Sequence, residues 1–206
     1  HFAARTMVAH GVNSLEEARA FLAPDIERDW LNPYTIPQLG AAVDRLERAV
    51  RDDERIVVFG DFDLDGISAT TVLTRGLQFL GANAAPLIPK RFEEGYGITP
   101  PAFERAKAFK PDLIVTVDCG IASGDIAPTV LAEGIDLVVT DHHEPGDLVP
   151  EGVVVCDPKC DPECESGILA GVGVALKIIQ ALGARFGKPH LWREYTDFAT
   201  LGTIAD

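Results

Sequence analysis

The sequence predicts an α/β fold: a mostly parallel sheet with helices on both faces, preceded by a helical lead-in. Two observations carry that prediction. From Arg55 onward, short apolar runs alternate with longer segments of helical periodicity, the pattern of strands joined by crossover helices. Three of those apolar runs end at once in acidic or imidazole side chains, and a parallel sheet gathers ligands along its carboxyl edge.

Residues 1–54 read as the lead-in. Asn13-Ser14 followed by Glu16 and Glu17 forms an N-cap signal for a helix running to about Phe21 and ended near Pro24. Leu31 to Pro37, interrupted by Pro33, reads as a loop. From Gln38, the residues Leu39, Val43, Leu46 and Val50 recur at helical spacing and give an amphipathic helix leading into the first strand. Residues 55–206 then form the sheet domain. Strands are expected at Ile56–Phe59, Ala84–Ile88, Leu113–Val117, Leu137–Thr140 and Val153–Val155. Helices are expected at Gly66–Leu80, Pro101–Phe109, Asp125–Glu133 and Leu169–Phe186.

Composition narrows the function classes. With 206 residues, 47% hydrophobic and 24% charged, the chain has ordinary globular usage and enough length for a real core. It contains no apolar run near the ~18 residues that a membrane span requires, and its first residues do not read as a signal peptide. Three of its four cysteines crowd at Cys156, Cys160 and Cys164, which is not a secreted disulfide framework, so the cytoplasm is the expected compartment. A net charge of −14 argues against this chain alone wrapping nucleic acid through a basic surface. Lys90, Arg91, Arg105, Lys107 and Lys110 do gather in one stretch, readable either as a phosphate-binding patch or as a solvated helix face.

The stretch IVVFGDFDLDGIS (Ile56 to Ser68) is the chemical centre of the sequence. A buried-strand signal runs into Asp61, Asp63 and Asp65, then Gly66, then an apolar helix. Three carboxylates so close repel one another, so a cation is the natural reason for them; removing Asp65 is expected to stabilise the cation-free fold. Asp118 follows the strand LIVTV, and Asp141-His142-His143 follows LVVT, so three strand ends can converge. Carboxylates with one or two imidazoles suit Mn²⁺ or Mg²⁺ better than structural zinc, and a pair of such ions shared by several Asp is the usual arrangement for phosphoryl hydrolysis. The pattern D-x-D-x-D-G also opens an EF-hand loop, but Val72 stands where that loop needs Glu. FDLDG resembles the haloacid dehalogenase phosphatases, with Asp63 as nucleophile, yet Ile67 stands where those enzymes expect Thr. The run Ala170 to Ala175 lacks the full spacing of a phosphate loop, so close helix packing is its expected use. Cys156, Cys160 and Cys164 lack the C-x₂-C spacing of common zinc sites.

Taken together, GDFDLDG, VTVDCGI, TDHHEPG and the closing DFATLGTIAD resemble, in order, the four motifs of the DHH phosphoesterases. The lead-in, the segment RFEEGYGI (91–98) and LAGVGVALKIIQAL (169–182) are similar to its single-strand-specific 5′→3′ exonuclease branch. The resemblance implies that Asp63, Asp65, Asp118, His142 and Asp206 bind two Mn²⁺ or Mg²⁺ ions, with Asp61 an additional or outer ligand. It implies that Asp141 orients His142, that His143 faces the scissile phosphate, and that Arg91 and Tyr96 touch the strand end. The implied partners are single-stranded DNA, a single-strand-binding protein and a helicase, with no membrane. Two positions depart from the family pattern: Phe59 where some relatives carry His, and Cys119 where Asn is common. Such enzymes also continue into a second, substrate-closing domain, for which residues 1–206 hold no counterpart. A small-substrate phosphodiesterase or pyrophosphatase, and a non-catalytic scaffold, are the alternative functions.

Overall fold

A computed structural model describes residues 2–206, which fall into two compact units meeting at Asn32/Pro33. The first unit holds helices α1 (Phe2–Ala9), α2 (Leu15–Leu22) and the single turn α3 (Ile26–Asp29). The predicted cap of α2 is present as a reciprocal box. The Glu17 N–H donates to Ser14 Oγ (3.1 Å), and Glu17 Oε2 accepts from the Ser14 N–H (3.2 Å).

The second unit begins with a 3₁₀ turn at Pro33–Thr35, within the stretch expected as loop, followed by α4 (Leu39–Arg51). Leu39, Ala42, Val43, Leu46 and Ala49 of α4 are buried, the stripe its spacing predicts. The sheet comprises β1 (Arg55–Phe59), β2 (Asn83–Leu87), β3 (Leu113–Val117), β4 (Asp136–Thr140) and β5 (Val154–Cys156). Every pairing is parallel, in the order β2-β1-β3-β4-β5. The crossovers are α5 (Leu64–Phe79), α6 (Pro100–Lys107) and α7 (Ala127–Ala132), and the chain closes with α8 (Gly171–Arg185) and α9 (Thr196–Ala205).

Strand side chains alternate between two cores because the pleat repeats every two residues. Val57, Phe59, Ile114, Leu137 and Val139 pack with Phe103 of α6 and Val130 of α7. Ile56, Val58, Leu113, Val115 and Val138 are also buried, and α5, α8 and α9 pack on one another in the remaining layer. Each large apolar side chain so enclosed contributes about 1.5–3 kcal/mol. Phe59 is one of the fully buried residues, so the ring at the position of the expected imidazole fills core. Edge strand β2 carries Pro86, opposite Val58 of β1, and the other edge strand, β5, has three residues. In this strand order the chain reverses its direction of progress between β1 and β3, and that is where crevices form at the carboxyl edge.

Candidate metal centre

The turn after β1 is built by its own carboxylates. Asp63 caps α5, its Oδ1 accepting the Gly66 N–H at 2.9 Å, which contributes about 1 kcal/mol to helix initiation. Asp61 is buried and accepts the Phe62 N–H at 2.7 Å. Burial, with the neighbouring Asp63 charge, holds its carboxyl above the usual range.

Asp65 sits in the second helical position of α5, buried, and meets the start of α8. The Gly171 N–H donates to Asp65 Oδ2 (2.6 Å) and the Val172 N–H to Oδ1 (3.0 Å). A carboxylate on a helix N-terminus satisfies two otherwise orphaned donors and complements the helix dipole. The glycine-rich run is thus more than packing. A Cβ on Gly171 would lie 2.6 Å from Asp118 Cβ, and one on Gly202 of α9 would lie 2.6 Å from Asp65 Oδ1. Both positions need a missing side chain because a ligand-type carboxylate occupies the space. The buried double hydrogen bond also removes the reason to expect Asp65 to burden the cation-free fold.

Asp118, directly after β3, takes the left-handed conformation (φ 58°), which Asp tolerates better than most residues. Its Oδ1 lies 2.9 Å from His142 Nε2, yet neither buried atom makes a hydrogen bond of proper geometry. Asp65 Oδ2 and Asp206 Oδ1 stand 3.7 and 3.9 Å from the same nitrogen. Burial raises the Asp118 carboxyl well above its ordinary range, and Asp65 adds repulsion. Burial opposes charge on His142, but the adjacent Asp118 outweighs it and the imidazole pKa is raised. Close approach without hydrogen bonding, among carboxylates that repel, is how ligands of a shared cation stand; a divalent ion fits this donor set. Three groups of such donors converge: Asp118 with Asp141, His142 and His143; Asp65 with His142 and Asp206; and Asp61 with Asp63 and Asp118.

Asp141 is fully buried and accepts from the N–H of Ile121 (2.9 Å) and of His142 (2.8 Å). Its Oδ1 also lies 2.7 Å from His143 Nδ1. It therefore orients the ring of His143, not that of His142 as the resemblance implied. That hydrogen bond pushes the half-exposed His143 up to about 9, while burial of Asp141 is outweighed by its partners and its carboxyl titrates low. Tyr96 meets His143 edge-on at 6.3 Å and Phe62 at 6.4 Å, and the Arg91 guanidinium lies 4.7 Å over the Phe62 ring. The other basic residues of that stretch are largely committed: Lys90 to Glu93, Arg105 to Glu94, and Lys107 to Glu104 and Glu133.

Two features had no place in the sequence reading. One is the Asp65–α8 contact, which no local spacing announces. The other is Asp157, which follows β5 fully buried with Oδ2 unpartnered, burial pushing its carboxyl up to about 6. Among the described residues no cysteine sulfur joins a converging group, and Cys119 lies in the core with its thiol held well above the ordinary range by burial.

The profile of the DHH family, N-terminal domain, matches residues 55–203. The chain belongs to the DHH family. The single-stranded-DNA-specific exonuclease RecJ of Bacillus subtilis (strain 168) is 40% identical over 204 residues, covering 98% of this DHH chain and 25% of that protein. RecJ of Thermus thermophilus is 44% identical over 163 residues, covering 78% of the chain and 24% of that protein. A crystal structure of exonuclease RecJ bound to manganese is similar at a TM-score of 0.75 and 40% identity, over 83% of this chain and 43% of that one. The chain thus spans about a quarter of the length of these two relatives. No helix among the described residues is long and apolar enough to cross a membrane.

Proposed function

We propose that this chain is the catalytic part of a metal-dependent exonuclease that removes 5′-mononucleotides from the 5′ end of single-stranded DNA. The observation that carries the reading is the buried, unpartnered pair Asp118 Oδ1 and His142 Nε2 within a ring of carboxylates. The names of relatives at 40–44% identity supply the substrate. Asp63, Asp65, Asp118, His142 and Asp206 hold two Mn²⁺ or Mg²⁺ ions, with Asp61 as an additional or outer ligand. When bound, such a pair lowers the pKa of water and neutralises charge developing on phosphorus. The α8 N-terminus fixes Asp65, and Asp141 fixes the His143 ring through Nδ1, leaving Nε2 for a phosphate oxygen. The hydrogen bond to Asp141 also favours a proton on that imidazole. Arg91 and Tyr96 stand at the mouth, where one flexible strand enters more easily than a duplex.

In domain terms, residues 1–54 form the lead-in and 55–206 the catalytic domain, over which a second domain closes in the full-length protein. Single-strand-binding protein and a helicase are its partners, in cytoplasmic recombination and repair. The test is the full-length protein with Mn²⁺ on end-labelled oligonucleotides. Mononucleotides released from 5′ ends, with blunt duplex spared, are expected; release from 3′ ends or equal cutting of duplex would overturn the assignment.

A further inference from the structure

Beside the metal centre lies a cleft of about 380 Å³ between the loop after β2 and the loop after β3, next to the point where strand order reverses. That volume falls in the ~300–1,000 Å³ range of small-molecule sites. Tyr96 stands on its rim, sharing the edge contact with His143. Gly120, on the opposite wall, is two residues beyond Asp118. Among the described residues no lysine, arginine or histidine lines the space, and the carboxylate of Asp125 disfavours an anion there. Ile98 and Ile126 provide apolar wall, while Ser123 and Asp125 bring a hydroxyl and a carboxylate.

A neutral, flat ligand with hydrogen-bond donors on its edge answers that chemistry. We propose that the cleft is the subsite for the nucleoside on the 5′ side of the scissile phosphodiester, an assignment that rests on the exonuclease reading above. Tyr96 and Ile126 cover the faces of the sugar and base, and Asp125, an acceptor when ionised, takes an amine, imino or hydroxyl donor. All four bases carry an N–H donor, so the subsite seats any nucleotide. With the phosphate near His143, the cleft is the adjoining space into which a nucleoside can turn.

The experiment uses the full-length protein with Mn²⁺ and three dinucleotides: intact, abasic at the 5′ residue, and abasic at the 3′ residue. Loss of the 5′ base is expected to lower kcat/KM about tenfold, the low end for a stacked base, and loss of the 3′ base by less than about twofold. Thr129→Trp and Ala122→Trp, at exposed lining positions, fill the cleft and should erase the discrimination between intact and 5′-abasic substrate. In parallel, titration of the wild type with deoxythymidine should shift the amide resonances of Gly120 to Ile126, and Thr129→Trp should abolish the shift. Dependence on the 3′ base instead, or discrimination intact in both Trp variants, overturns the subsite. If no dinucleotide is hydrolysed, the exonuclease reading still stands or falls on the end-labelled oligonucleotides, and the deoxythymidine titration alone decides the cleft: no shift at 120–126 sinks it.

Discussion

Replacing Asp65 with alanine sets two large effects against each other. The repulsion view says the metal-free protein should gain stability. The structure says otherwise, because Asp65 takes N–H bonds from Gly171 and Val172 at 2.6 and 3.0 Å in a buried setting. Hydrogen bonds to a charged group contribute about 1.5–3 kcal/mol each, so about 3–6 kcal/mol is at stake. Against this, two carboxylates about 5 Å apart at an effective dielectric of about 20 repel by roughly 3 kcal/mol. The relief is smaller than that, since the raised Asp118 carboxyl already holds part of a proton near neutrality. A net loss centred on about 2 kcal/mol follows, or a fall in Tm of about 4–8 °C for a cooperative unit of this size. The assay is thermal unfolding in EDTA at pH 7, wild type against Asp65→Ala. Millimolar Mn²⁺ should then widen the gap, since at a hundred times Kd the wild type gains about 2.7 kcal/mol that the variant cannot fully match. A variant melting at or above wild type in EDTA would refute the view that α8 depends on this carboxylate.

Gly202→Ala puts a Cβ 2.6 Å from Asp65 Oδ1 and 2.7 Å from Val172 Cγ1. It should cost about 1–3 kcal/mol and weaken Mn²⁺ binding by calorimetry; unchanged affinity and Tm would contradict the close approach. The Asp141–His143 bond predicts a pH signature in the metal-free protein. The folded His143 pKa of about 9 lies above its ordinary 6.5, so the bond's contribution is complete below 6.5 and is lost as pH rises through about 9. The Tm difference between wild type and His143→Ala should therefore be level in acid and shrink across that window; a pH-independent difference would exclude it.

The sheet was legible because its strands are continuous apolar runs, whose limits were read to within about a residue, and because acidic residues punctuate their ends. The acidic and imidazole residues after β1, β3 and β4 were found for the same reason, whereas Asp157, directly after the short β5, was passed over because three residues make a weak strand signal. What else escaped were relations between distant segments. Nothing near Asp65 in sequence reveals that Gly171, 106 residues on, donates to it. Which of two consecutive histidines turns toward Asp141 is decided by how the loop after β4 folds back beneath Ile121, not by the order of letters. The glycine run was read as packing because its spacing fits no phosphate loop; its use as a carboxylate cradle becomes visible only once α5 and α8 are side by side.

The proline in β2 bears on how the protein behaves in a crowded solution. RIVVF, LIVTV and DLVVT are β-forming segments of the kind that seed stacked fibrils when left open. All three lie in the interior of the sheet, β1 shielded by β2 and β4 by β5. On the outer side of β2, position 86 has no N–H to offer an incoming strand, and β5 gives only three residues of template. The sheet therefore stops at five strands, and the segments most prone to recruit other chains are enclosed by borders poorly suited to extension.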